Sequence, residues 1–280
     1  MLKRKHDDEM HLVEASDGGL IYVEVRGTGR PVLLVHGWTM SSAFWVRQKE
    51  GLACEFKVVT MDLRAHGNSS KTLQGHTMPR YAGDVRSVID YLNLKGVVLV
   101  GWSLGGPVVL EYWKTYGADR VSALALVEMT PCPMSAQGWN THTLKGHNFD
   151  ALNEALISLQ EDRRAYGTRF VDMMFKNGEA SREERAWMVK EHLKTPTPAA
   201  IAAYSDYVMR DYTGVLGTIT VPVLIVMGDS EHMAFGPRTG QYLADAIPKS
   251  RLAVFENSGH LPFYEEAESF NEALADLLRG

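Results

Sequence analysis

The spacing of apolar residues along this chain switches between two periods. Near the start, Leu12 and Val13 precede Asp17-Gly18-Gly19, and Ile21, Val23 and Val25 alternate after it, which predicts an antiparallel hairpin. Short apolar runs at Pro31–Val35, 56–61, Val97–Trp102 and Val121–Val127 read as buried strands. Between the second and third of these runs, Tyr81, Val85, Val88, Ile89 and Leu92 share one helical face. Strands that alternate with helices at this spacing form βαβ units. They predict an α/β fold with a mostly parallel sheet covered on both faces.

The alternation stops after Val127. From 131 to 217 the pattern is helical without strands. Phe149, Leu152, Leu156 and Leu159 mark one amphipathic stretch, and Phe170, Met173 and Met174 a second. Trp187, Met188 and Leu193 mark a third, and Ile201, Tyr204 and Val208 a fourth. Strand patterns return at 221–227 and 252–255, and a closing helix is expected over 266–278. The expected organisation is a core domain from residues 1–130 and 218–280 that carries a helical cap, 131–217.

Composition narrows this picture. At 280 residues, one large α/β domain with an insertion can bury a full core. A hydrophobic share of 45% and a charged share of 22% are ordinary for a globular protein. The formal charge of -5, from 29 basic and 34 acidic residues, gives no electrostatic footprint for nucleic acid. Cys54 and Cys132 read as two free thiols of a cytosolic protein. Residues 1–9, and His11 beyond them, read as a solvated head with a basic start but no apolar segment of a secretory signal. No apolar run approaches the roughly 20 residues that span a bilayer. The expectation is a soluble cytoplasmic protein with no membrane partner.

Candidate chemistry concentrates at Gly101-Trp102-Ser103-Leu104-Gly105-Gly106. A serine with glycine two residues away on each side, between a buried strand and a helix, is a nucleophile elbow. The tight turn strains the serine backbone and pushes its hydroxyl into the open. Side chains at 101 or 105 would crowd the turn.

An activated serine needs a base and an acid that orients the base. In elbow architectures the chain order is serine, acid, histidine. Of the ten histidines, His260 fits best, in the loop Asn257-Ser258-Gly259-His260-Leu261-Pro262 after the strand at 252–255. The acid is sought in Met227-Gly228-Asp229-Ser230-Glu231-His232, the turn that leaves the strand at 221–227. A residue directly after the turn glycine tends to cap its own turn, whereas the third residue can reach back over the sheet edge. Glu231 is therefore the preferred acid, with Asp229 the alternative.

Backbone amides must hold the developing oxyanion. The expected donors are Leu104, next to the nucleophile, and Trp38, in the loop Val35-His36-Gly37-Trp38. The start of the following helix adds its positive end. His36 reads as a structural histidine of that loop. Asp229, Glu231 and His232 lack the spacing of a metal site. No Gly-x-Gly-x-x-Gly follows a strand, and no P-loop occurs. Neither metal nor cofactor is expected.

With these residues in place, the chain resembles the α/β-hydrolase superfamily, and within it the cofactor-free esterases, lactonases and non-haem haloperoxidases. The matching pieces are His36-Gly37-Trp38, Asp62-Leu63-Arg64-Ala65-His66-Gly67-Asn68-Ser69, the segment around Ser103, Gly228-Asp229-Ser230-Glu231 and Gly259-His260-Leu261-Pro262. They span the core; no motif covers the cap. The resemblance implies an eight-stranded sheet with a cap after the sixth strand, and supports Ser103, His260 and Glu231. Family members usually carry aspartate as the acid. Ala65 stands where glycine is common, and Thr39 stands where haloperoxidase-like members often have proline, which lowers the expectation of perhydrolase activity. Serine at 103, rather than aspartate or cysteine, argues against haloalkane dehalogenase, epoxide hydrolase and dienelactone hydrolase chemistry.

The expected activity is hydrolysis of a carboxylic ester or lactone through an acyl-enzyme. Alternatives are a ligand-binding protein with little turnover, an amide or carbon–carbon bond hydrolase, or a perhydrolase. Trp139, Phe149, Phe170, Met173, Met174, Phe175, Trp187, Tyr204, Tyr207 and Tyr212 either roof an apolar substrate pocket or fill the cap's own core. The expected partner is a small, mainly apolar ester or lactone; a homo-oligomer is left open.

Overall fold

The computed structural model describes residues 9–280. The hairpin around Asp17-Gly18-Gly19 is present: β1 (Glu9–Glu14) pairs antiparallel with β2 (Leu20–Arg26). His11 thus belongs to a strand and not to a head, because it lies opposite Val23 in the hairpin register. The rest of the expected head lies outside the described residues. β3 (Pro31–Val35), β4 (Lys57–Met61), β5 (Val97–Trp102) and β6 (Val121–Val127) follow, and after the helical insertion β7 (Val223–Gly228) and β8 (Ser250–Phe255). The eight strands form one sheet in the order β1-β2-β4-β3-β5-β6-β7-β8. β2 pairs antiparallel with β4, and every pairing from β4 to β8 is parallel. The apolar run at 221–227 starts as a strand at Val223, two residues later than its pattern suggests, because Pro222 lacks an N–H for the ladder.

Period two within the strands sorts the core into two layers. Leu33, Val35 and Leu99 face α2 (Met78–Tyr91) and α3 (Gly105–Tyr116). Val32, Leu34, Val98 and Val100 face α1 (Val46–Leu52) and α11 (Ala267–Arg279). Both faces are covered, and the central strands β3 and β5 carry only apolar residues and glycine.

Between β6 and β7 the chain forms α4 (Phe149–Glu161), α5 (Arg163–Met174), α6 (Arg182–Leu193) and α7 (Thr197–Val208), one for each amphipathic stretch, then α8 (Thr213–Leu216). Their starts have local causes. Asp162 accepts the Arg164 and Ala165 amides ahead of α5, and Ser181 with Glu184 closes a capping box on α6. α9 (Gly236–Ala246) and α10 (Pro262–Glu265) complete the set. No helix among the described residues is long and apolar enough to cross a membrane. Cys54 and Cys132 are both free.

The parallel strands share one direction, so the loops leaving β3, β5, β6, β7 and β8 gather at one edge of the sheet. Positions 36–41, 103, 128, 229–235 and 256–261 leave the strands there.

Candidate active site

Ser103 follows β5 directly and has φ +54°, in the left-handed region where a non-glycine residue is strained. Neighbouring glycines make the turn possible. A Cβ on Gly101 would meet the Gly105 carbonyl oxygen at 2.2 Å, and one on Gly105 would meet the Val35 oxygen at 2.5 Å. The Ser103 amide donates to Val127 O at 2.9 Å, which ties the elbow to the end of β6. The α3 N-terminus lies directly behind it.

His260 is nearly fully buried, and its Nδ1 lies 3.0 Å from Glu128 Oε2. This corrects the acid expected from the sequence. Asp229 and Glu231 are exposed, and the Asp229 carboxylate faces Lys176 at 4.0 Å. The physical reason is the strand register. Trp102 pairs with Val127, so Glu128 follows β6 just as Ser103 follows β5, on the neighbouring strand. Glu128 is itself left-handed, with φ +43°. Its carboxylate is fully buried and accepts three bonds: His260 Nδ1–H and the Phe235 amide (3.0 Å) on Oε2, and the Gly228 amide (2.8 Å) on Oε1. One signal was available in the sequence: a carboxylate that directly ends a seven-residue apolar strand.

The histidine loop is fixed from several sides. His260 N–H donates to Met174 O at 2.7 Å at the end of α5, and Trp102 Nε1–H donates to His260 O at 2.8 Å. A Cβ on Gly228 would meet Gly259 O at 1.9 Å, so the end of β7 must be glycine for the loop to cross it.

Ser103 and His260 line one cavity of about 380 Å³, together with Trp38 and Leu104. Among the described residues, neither the Trp38 nor the Leu104 amide donates to a protein acceptor. Two unpaired amides beside the serine form an arrangement able to hold an oxyanion.

The loop that carries Trp38 is held by the cap. Trp38 Nε1–H donates to Ala200 O of α7 at 2.8 Å. Thr39, at φ +59°, donates its hydroxyl to Trp38 O and lies 2.7 Å from His192 Nδ1 of α6. Ser41 donates to Glu191 Oε2 at 2.7 Å. Beneath the loop, His36 has Nδ1 on Gly37 O at 2.8 Å and accepts the Leu63 amide on Nε2 at 3.0 Å. Burial holds its pKa below the usual histidine value, and the ring serves as a strut. Asp62 accepts the Ser42 and Asn68 amides, both at 2.6 Å. Ala65 sits at φ +61°, a conformation that accounts for a preference for glycine at that position.

The cap aromatics divide between the two readings. Phe170, Met173, Tyr204 and Tyr207 line the cavity. Met174, Phe175 and Trp187 pack into the core beside β8 and α11. Tyr212 is buried and donates to Glu111 at 2.8 Å, Trp139 stacks on Tyr242, and Phe149 is exposed. His232, Met233, Ala234 and Phe235 close the cavity from the loop after β7. Among the described residues, no group of three His, Cys, Asp or Glu side chains is placed to hold a metal ion.

Comparison with known proteins agrees with this architecture. Residues 30–267 match the family described as the alpha/beta hydrolase fold. A non-heme haloperoxidase of Rhodococcus erythropolis is 30% identical over 280 residues, covering 96% of this chain and 98% of that protein. A bifunctional esterase/perhydrolase of Acinetobacter calcoaceticus is 29% identical, covering 96% of this chain and 100% of its own length. The solved structure of an esterase from Exiguobacterium antarcticum superimposes with a TM-score of 0.90 at 28% identity, covering 97% of this chain and 100% of that one. Fold and family matches agree over nearly the whole length: the chain belongs to the α/β-hydrolase family.

Proposed function

We propose that this protein is a serine hydrolase that cleaves a carboxylic ester or lactone through an acyl-enzyme. The observation that carries the reading is the buried His260–Glu128 pair in the wall of the cavity that Ser103 enters. Glu128 accepts from Nδ1–H, so it selects the tautomer whose Nε2 is free to take a proton. Ser103 Oγ attacks the carbonyl carbon, and its proton passes to His260 Nε2. The Trp38 and Leu104 amides hold the tetrahedral oxyanion, each contributing on the order of 3 kcal/mol. As the intermediate collapses, the carbon–oxygen bond to the alcohol breaks and His260 returns the proton to the leaving oxygen. Water then attacks the acyl-enzyme with His260 as base, releasing the acid and restoring Ser103. Glu128 keeps its charge throughout and stabilises the imidazolium.

A second reading has support in the two relatives named as haloperoxidase and perhydrolase. Hydrogen peroxide would replace water at the acyl-enzyme and leave as a peracid. The Thr39 hydroxyl, bonded on both sides, occupies the position where proline would mark that group.

The test is a panel of p-nitrophenyl esters and lactones, assayed with and without hydrogen peroxide. Ser103→Ala is expected to lose at least about a thousandfold in turnover while staying folded. A phosphonate ester is expected to label Ser103 stoichiometrically. A folded, fully active Ser103→Ala protein overturns the covalent mechanism.

A further inference from the structure

His142 is a polar side chain of the cavity wall that the reaction just described does not use. It lies in the loop between β6 and α4, and three contacts fix it. Its amide donates to Asn140 Oδ1 at 3.2 Å, while Asn140 Nδ2 donates to the carbonyls of Pro133 and Ser135, both at 2.8 Å. Its ring lies 5.7 Å from that of Phe235 at an interplanar angle of 21°, and 6.3 Å from Tyr207 at 69°. Phe235 is in turn held through its amide by Glu128. The stack under His142 and the pairing of His260 therefore depend on one carboxylate.

The third contact sets the tautomer. His142 Nδ1 accepts the Leu144 amide at 3.0 Å, so the ring proton sits on Nε2. Burial, followed by the neighbouring His260, lowers the His142 pKa to about 4, so the ring is neutral near pH 7. Its Nε2–H has no acceptor among the described residues, and neither do the hydroxyls of Tyr204 and Tyr207 in the same wall. The half-buried ring opens its N–H to the cavity and not to a protein acceptor, so an oxygen of a bound molecule can take it. A neutral donor held in place before substrate arrives is also how a site selects an oxygen.

We propose that His142 is a substrate-binding residue whose Nε2–H donates to a second oxygen of the substrate, apart from the ester group that reacts. The substrate class is then an ester or lactone with an additional carbonyl, ether or hydroxyl oxygen in its acyl or alcohol portion. Tyr204 and Tyr207 supply further donors on the same side. This deepens the hydrolytic reading and rests on it, and it adds one polar contact to the mainly apolar substrate that the cap composition suggests.

The experiment separates binding from turnover. Ser103→Ala protein is titrated calorimetrically with two ester pairs of matched length: methyl β-ketooctanoate against methyl octanoate, and methoxyethyl octanoate against butyl octanoate. The oxygen-bearing member of at least one pair is expected to bind about tenfold more tightly. With Ser103→Ala/His142→Phe that preference falls to about one. In the active enzyme, His142→Phe is expected to raise KM for the preferred ester about tenfold, and His142→Gln, which keeps an N–H, to recover part of it. Equal affinities in both pairs overturn the proposal, as does a His142→Phe loss that is the same for both members of the preferred pair. Preferential binding without turnover of any ester by the unmutated protein would overturn the hydrolytic reading and leave the subsite standing.

Discussion

Glu128 holds its position because three donors converge on one buried carboxylate. Glutamine is nearly the same shape but brings one oxygen and one NH2. Whichever way it turns, the NH2 faces either the His260 and Phe235 donors or the Gly228 amide. Glu128→Gln is therefore expected to lower kcat by about 10³- to 10⁴-fold and stability by about 1–3 kcal/mol. Glu231→Gln and Asp229→Asn, both at exposed positions, are expected to stay near the unmutated rate. Steady-state kinetics on one chromogenic ester checks all three variants. A Glu231→Gln protein as slow as Glu128→Gln would return the acid to the β7 turn. That Ser103 sits on an elbow and shares a cavity with His260 was legible because the signals are local: paired glycines around a strand-to-helix turn, and a late glycine-histidine loop. The carboxylate beside His260 was not, because it meets the histidine by register across the sheet. Position 128 looks like the end of a strand until Val127 is known to pair with Trp102.

At the scale of elements, the cap does more than cover the cavity. α6 and α7 grip the loop that presents the Trp38 amide through Thr39, Ser41 and the Trp38 indole. The Thr39 hydroxyl gives its one proton to Trp38 O, so His192 Nδ1–H donates to Thr39 Oγ1, and His192 Nε2 accepts from Arg163. Thr39→Val removes both bonds of that hydroxyl with little change in volume and leaves a buried N–H on His192. The Trp38 amide then loses its fixed aim. The expected outcome is a kcat lower by about tenfold with KM little changed, and slower phosphonate labelling of Ser103. A role confined to structure would lower Tm alone and leave kcat intact. The helices themselves were visible in the apolar spacing, one for each stretch. Their hold on residues 38–41 was not, since no local pattern sets Thr39 beside a side chain 153 positions later.

At the scale of the whole molecule, acid has a predictable effect. His36, His66 and His192 are fully buried, and burial holds all three below the ordinary histidine pKa, with His192 at about 3. Each is committed to the neutral form. His36 accepts the Leu63 amide on Nε2, and the His36 and His66 rings lie 5.2 Å apart, so charging one opposes charging the other. The unfolded chain binds these protons near pH 6.5 and the folded chain does not, so stability is whole above that value and falls as pH drops towards the folded pKa values. Within its own window each such histidine removes at most about 1.4 kcal/mol per pH unit, and His76 and His142, held low by burial with His142 at about 4, add to the same decline. Glu265 acts in the opposite sense, because burial raises its pKa and the folded state takes up its proton more readily. Asp17, held low by its bond to Arg64, adds a further loss only below the ordinary carboxylate range. A loss of a few kcal/mol is a large part of the total stability of about 5–15 kcal/mol usual for a domain, so the protein is expected to be acid-sensitive. Urea midpoints measured from about pH 8 down to about pH 4 are expected to hold level above about pH 6.5 and then decline steadily. In His66→Leu, whose parent ring donates to Arg64 O, the decline is expected to shallow by one histidine's share, at most about 1.4 kcal/mol per pH unit, whatever the variant's starting stability. A level profile down to about pH 5, or an unchanged slope in His66→Leu, would show that these rings take up protons in the folded state, against their burial.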